Sequence, residues 1–112
     1  MQLNHEKLDV YQASIEFLGF SFQIIPTLPK GFAFLSDQLK RASLSIPLNI
    51  AEGTGKFDIR DKSKYFKIAR GSATECAAIL DAIVTIELLD KTELERGKLL
   101  LYRIVCMLSK LL

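Results

Sequence analysis

The chain has 112 residues, enough for one respectable core and too few for two. Its 49% apolar and 25% charged residues have the balance of an ordinary globular protein; two cysteines within apolar helical patterns suggest no disulfide framework, so a reducing compartment is the default. A net charge of +2 is too small by itself to announce a nucleic-acid binder.

The residues read as helix after helix, with no convincing strand pair. The first helix is predicted over residues 6–25, where Leu8, Tyr11, Ile15, Leu18, Phe22 and Ile25 alternate at three and four, the spacing of an antiparallel-bundle seam. Phe17, Phe20 and Ile24 widen that face, and Pro26 with Pro29-Lys30-Gly31 makes the first turn. The second helix is predicted over residues 35–52, with Leu39, Ala42, Ile46, Asn49 and Gly53 on one face. Two features disturb it. Asn49 stands where an apolar residue belongs, and Pro47 lacks an N–H and crowds the carbonyl of Ser43, at a cost of about 3 kcal/mol inside a helix. A chain needing only a stable helix would not be written this way; a kinked helix fitted to its neighbours and a buried polar network fixing an assembly geometry are the two readings. Gly53 and Gly55 end the helix. The stretch Gly53-Thr54-Gly55-Lys56 lacks the spacing, the hydroxyl after lysine and the preceding strand of a phosphate-binding loop.

The third helix is predicted over residues 59–89. Phe66, Ala69, Ala73, Cys76, Leu80 and Ile83 form one seam, and Tyr65, Ile68, Ser72, Glu75, Ile79, Ala82 and Ile86 the adjacent one. Mid-helix Gly71 costs about 0.5–1 kcal/mol relative to alanine, which suggests a packing demand there. Thr92 with Glu95 reads as a capping box for a fourth helix over residues 93–112. That helix is apolar nearly all round toward its end, and the excess of Leu100, Leu101, Leu108, Leu111 and Leu112 predicts contact beyond one bundle. Short turns favour antiparallel neighbours, so the expected architecture is all-α: one domain, residues 1–112, forming an up-down-up-down antiparallel four-helix bundle. The N-terminus has no apolar signal core and no run is long enough to span a bilayer, so a cytoplasmic protein without membrane contact is expected.

Enzyme chemistry finds little to work with. His5 is the one histidine, near a terminus, so histidine acid–base chemistry and serine-protease-type triads lack their central member. The two cysteines and the histidine show no zinc spacing, and Glu52 with Glu75 lacks the Glu-x-x-His pairs of a di-iron site, so neither a metal nor another cofactor is expected. The polar residues instead suggest a buried structural network of Arg41, Ser45, Asn49, Glu52, Ser72 and Glu75, with Arg70–Glu52 or Arg41–Glu75 as interhelical pairs. The other reading gives Arg41 and Arg70 a ligand- or RNA-facing role.

Charge is distributed in blocks: residues 1–29 sum to −2, 30–70 to +5, 71–95 to −5 and 96–112 to +4. Lys56, Arg60, Lys62, Lys64, Lys67 and Arg70, with Phe57 and Tyr65 interleaved, form the candidate nucleic-acid surface, because lysines attract phosphate and exposed aromatics stack on bases. Lys91 and Lys110 fall outside that run. The bland alternative is a solvated helix face with Tyr65 in the core.

The segment Ser45-Ile46-Pro47-Leu48-Asn49-Ile50-Ala51-Glu52-Gly53, followed by Ile68-Ala69-Arg70-Gly71-Ser72-Ala73-Thr74-Glu75, resembles the bacterial four-helix bundle family of 23S rRNA intervening-sequence proteins, whose relatives include the accessory variability protein of diversity-generating retroelements. Gln38, Arg41 and Ala42 agree with the family's lead-in; Lys56 and Ala73 depart from it, standing where arginine and leucine are common. The resemblance implies a four-helix protomer assembled into a ring-shaped homopentamer, and, through the retroelement relative, an association with nucleic acid and a reverse transcriptase. Two functions of different class follow: a nucleic-acid-binding oligomer using the repeated 56–70 patch, or a protein-interaction scaffold whose pentamer contacts a protein partner and no RNA.

Overall fold

The computed structural model describes all 112 residues. A 3-10 turn, Asn4–Lys7, leads into α1 (Asp9–Ile24); α2 (Ala33–Thr54), α3 (Ile59–Thr85) and α4 (Lys91–Leu111) follow. There are no strands, and the four helices form an antiparallel bundle. Pairings across the seams set the directions. Ser45 of α2 meets Ser72 of α3, Arg70 and Asp81 of α3 meet Ser109 and Lys98 of α4, and Glu16 of α1 meets Arg96 of α4. Each helix therefore packs against its two sequence neighbours, with α1 and α4 closing the ring.

Local chemistry explains where the helices begin and end. Between α1 and α2, Pro26 sits in one 3-10 segment and Pro29, in extended conformation, immediately precedes the next. The carboxylate of Asp58 caps α3, accepting from the N–H groups of Arg60 at 2.7 Å and Asp61 at 3.3 Å. The end of α3 falls at Thr85, short of the expected 89. Glu87 adopts φ 62°, and the Leu88 N–H donates to the Ile83 carbonyl at 3.0 Å, a left-handed closure that sequence would sooner assign to glycine. The expected Thr92–Glu95 box is not the cap of α4: the helix begins earlier, at Lys91 after Asp90, which makes no side-chain cap bond.

Core burial corrects the sequence reading of α1. Val10, Ala13, Ser14, Phe17, Phe20 and Ser21 point inward, whereas Ile15 and Phe22 of the predicted seam are 42% and 50% exposed. Both stripes have helical spacing; the aromatic pair Phe17–Phe20, stacked at 5.9 Å, wins the interior. On α3 the first predicted seam is the core face, with Phe66, Ala69, Ala73, Cys76, Leu80 and Ile83 all buried. On the second, only Ile79 is buried, and Ile68, Glu75 and Ile86 are exposed. On α4, Leu100, Leu101 and Leu108 are buried within the protomer and only Leu111 and Leu112 of the predicted surplus are exposed.

Glycines mark the two closest approaches. A Cβ on Gly97 would collide with the Phe20 ring, and one on Gly53 would come within 2.7 Å of the Phe66 ring and 3.2 Å of the Lys62 carbonyl. Gly71, expected to answer a packing demand, has nothing within 4 Å of a Cβ. It lies on the exposed side of α3.

Candidate nucleic-acid interface

The motif around Pro47 comes first, because it forms the seam beside the basic helix start. Pro47 is buried inside an unbroken α2. Asn49 donates through Nδ2 to the Ser45 carbonyl at 2.8 Å and to Ser45 Oγ at 3.0 Å, while Ser45 Oγ lies 2.8 Å from Ser72 Oγ. This three-residue chain ties α2 to α3 at half-buried positions. Arg41, Glu52 and Glu75, expected in a buried network, are exposed. The expected ion pairs are also absent: Glu52 bridges to Lys56 of its own helix end at 3.4 Å, and Arg70 Nη1 donates to Ser109 Oγ at 3.3 Å. Arg41 and Glu75 line one polar groove with Gln38, Ser45 and Ser72 without pairing. The physical reason is position. Long charged side chains on the rim of a seam stay hydrated, and only the short hydroxyl and amide groups fit between the helices.

The basic run divides in two when its contacts are followed. Lys56 is half-buried, drawn to Glu52 and lying 5.3 Å over the Tyr65 ring; Lys64 covers the same ring at 5.6 Å. Tyr65 is thus occupied by two cations. Arg60, Lys64 and Lys67 fall within one outward stripe of α3 and are exposed, with Lys62 half-buried toward α2. Arg70, through Ser109, fastens this stripe to the end of α4. Antiparallel packing sets the second basic block, residues 96–112, against the acidic stretch of α3, where Lys98 pairs with Asp81, while Arg96 pairs with Glu16 of α1; only the last turn of α4 reaches Arg70. Lys110, outside the run that the sequence singles out, lines a groove with Leu8, Asp9 and Val10 at the start of α1, and Lys91 lies at the other end of α4. The two charge blocks are visible in the sequence, but that the second is engaged by Asp81 and Glu16 rather than extending the first required the packing of α4.

A second surface escapes the sequence reading. Because Glu16 and Phe20 of α1 face α4, the stripe of Tyr11, Ile15, Leu18 and Phe22 falls on the side toward α2. Away from the buried stripe of α2, Leu44 and Leu48 turn outward, and Leu48 and Ala51 line a groove with His5 of the N-terminal turn. Leu44 and Leu48 are 45% and 57% exposed. Glu16 is the one charged residue from 10 to 29, and residues 42–51 contain none. Exposed apolar residues thus occur on α1 and α2 as well as on α4, where Leu99, Tyr102, Leu111 and Leu112 remain open.

No group of three or more His, Cys, Asp or Glu side chains is disposed to hold a metal ion, and no helix is long and apolar enough to cross a membrane. His5 packs edge-on against Tyr11 at 4.7 Å. Burial, and to a lesser degree the neighbouring Glu75 charge, pushes the Cys76 thiol up from 9.0 to about 12, which leaves it an unreactive core residue.

Comparison with known proteins bears on the fold and the family. A crystal structure of a protein of unknown function from the S23 ribosomal protein family of Bacteroides thetaiotaomicron VPI-5482 superposes with a TM-score of 0.83, covering 90% of this chain and 92% of that one at 22% identity. At that identity the likeness speaks for the fold alone. No curated protein matches the chain. The family model described as 23S rRNA-intervening sequence protein matches residues 6–110, from the 3-10 turn before α1 to the last turn of α4, and the chain belongs to that family.

Proposed function

We propose that this protein is a non-enzymatic, cytoplasmic homo-oligomer, a pentamer by the family resemblance, that binds structured RNA or other nucleic acid through a basic ridge repeated on every copy. The observation that carries the reading is the segregation of two surfaces. An exposed apolar face lies on α1 and α2, around Ile15, Phe22, Leu44 and Leu48, and the exposed cations Arg60, Lys64 and Lys67 lie on α3. Association of copies through the first leaves the second in solvent, multiplied by the number of subunits. A second copy suits the apolar face because its α2 ridge carries Arg41 at one end and Glu52 at the other, with Leu44 and Leu48 between, so the same ridge supplies both charges of a mutual contact.

Binding of a fluorescent structured RNA across a salt series tests the nucleic-acid half of this reading. Each phosphate neutralised on a duplex contributes a slope of about −0.9 in log affinity against log salt. Lys64→Gln with Lys67→Gln should flatten the slope by roughly one unit for each phosphate no longer neutralised, with the oligomer intact. Lys91→Gln should leave it unchanged. Equal weakening by both would mean general charge attraction, and no binding at low salt would favour the protein-scaffold reading, which the exposed Phe22 and Leu48 suit equally well.

A further inference from the structure

The connection between α2 and α3 holds an aromatic ring in a position that helix packing does not require. Phe57 is 102% exposed, as open as in an extended peptide, and Ile59 follows it at 82%. The backbone on either side is pinned. Gly55 N–H donates to the Ala51 carbonyl at 3.1 Å, Lys56 N–H donates to the Gly53 carbonyl at 3.1 Å, and the Asp58 carboxylate holds the first turn of α3. Phe57 therefore stands at the tip of a short, fixed turn, where it cannot fold back on the core. The first helical turn beyond it begins the stripe of Arg60, Lys64 and Lys67.

Tyr65, the other aromatic of this region, is half-buried and has two lysines over its ring. Phe57 is the ring left free beside the exposed cations. We infer that Phe57 is a stacking platform for an unpaired base, so that the nucleic acid fitted to this surface carries a single-stranded loop, bulge or end beside the backbone that the α3 cations hold. This inference rests on the nucleic-acid reading above and narrows it from any anionic polymer to one with an accessible base. An unpaired base presents a π face that a duplex hides inside its stack, and stacking on an aromatic side chain tolerates any base, which suits a ridge without base-reading amide groups. An anionic bilayer fits less well. Asp58 and Asp61 share the turn with Phe57, and the apolar face of α3 is already committed to the core.

Two RNAs with equal phosphate number test this, one a blunt duplex and one a hairpin with an unpaired loop, titrated against the full chain and against Phe57→Ala and Phe57→Trp. The hairpin should bind about tenfold more tightly than the duplex, equivalent to about 1.4 kcal/mol. Phe57→Ala should abolish that preference while preserving the salt slope, and Phe57→Trp should keep it. The chain contains no tryptophan, so the substituted ring is also a unique fluorophore, quenched on stacking with the hairpin and not with the duplex. Equal wild-type affinity for the two RNAs overturns the inference while leaving nucleic-acid binding in place. So does a fall in light-scattering mass for Phe57→Ala, which would make the ring a contact between copies. Loss of binding only to phosphatidylserine vesicles would assign it to a membrane surface. Failure of both RNAs to bind at low salt overturns the nucleic-acid reading itself, and this inference with it.

Discussion

Helices α1 and α2 carry two and four charged residues, α3 and α4 eight and seven. All four contribute to one core, so the difference lies in what each pair offers outward. On α3 and α4 the solvent side is dense in lysine, arginine and acid, with Ile68, Leu99 and Tyr102 set among them. On α1 and α2 it has isoleucine, leucine and phenylalanine, the composition of a surface that meets protein. Within a bundle, then, amphipathicity distinguishes which residues are apolar, and charge density distinguishes which apolar stripe remains uncovered.

The largest effect is expected where the two halves are fastened. Gly97→Leu pushes a side chain into the Phe20 ring, and overpacking of this kind costs about 1–3 kcal/mol or more. At about 4–8 °C per kcal/mol for a domain near this size, the melting temperature should fall markedly. Gly71→Leu, on the open side of α3, should not lower it; equal destabilisation would mean that the α1–α4 contact is no tighter than the surface.

Next in size is the uncharged face. Leu48→Glu should reduce the light-scattering mass toward the 12.6 kDa of one chain while circular dichroism retains full helicity, because Leu48 is 57% exposed within the protomer. The same change at Leu99 of α4, 60% exposed, should leave the mass alone. Loss of mass from both would erase the distinction between the two halves.

A smaller effect sits beneath the apolar face. Ser21 is fully buried and its hydroxyl has no hydrogen-bond partner, whereas Ser14 donates to the Tyr11 carbonyl at 2.7 Å. Ser21→Ala should raise stability by about 1 kcal/mol in urea denaturation, and Ser14→Ala should not. The reverse order would show that Ser21 has a partner in solution.

The smallest effect contrasts the two thiols. Cys106 is half-buried and should react first with a disulfide reagent, while Cys76 should wait for unfolding. Since the Cys76 pKa is raised in the fold, its contribution to stability is whole below the ordinary thiol value of 9.0 and is lost as pH rises toward about 12. Wild-type stability should therefore fall more steeply above pH 9 than that of Cys76→Ala. Parallel curves would overturn the assignment of that loss to Cys76.

Much of the bundle is legible in the residues. The α3 core seam from Phe66 to Ile83 reads directly, because small and large apolar residues recur there with no competing stripe. On α1 two stripes compete at the same spacing, and periodicity alone does not rank Phe17 and Phe20 above Ile15 and Phe22. The candidate site divides similarly. Its cations are visible as a run, but nothing along the chain says that Lys56 is engaged by Glu52 and Tyr65, or that Phe57 stands free.

The sequence by itself determined the all-helical class, the proline and glycine breaks, the core face of α3 and the family, because these depend on local conformational preference and on a contiguous motif. The tertiary structure decided which stripe of α1 is buried, that Arg41, Glu52 and Glu75 stay in solvent, and that Arg96 and Lys98 of the second basic block meet Glu16 and Asp81 instead of extending the basic run. Those outcomes turn on which helix lies beside which. A side chain's burial and its electrostatic partners are properties of the space between helices, and that space exists only once Gly97 has met Phe20 and Ser45 has met Ser72.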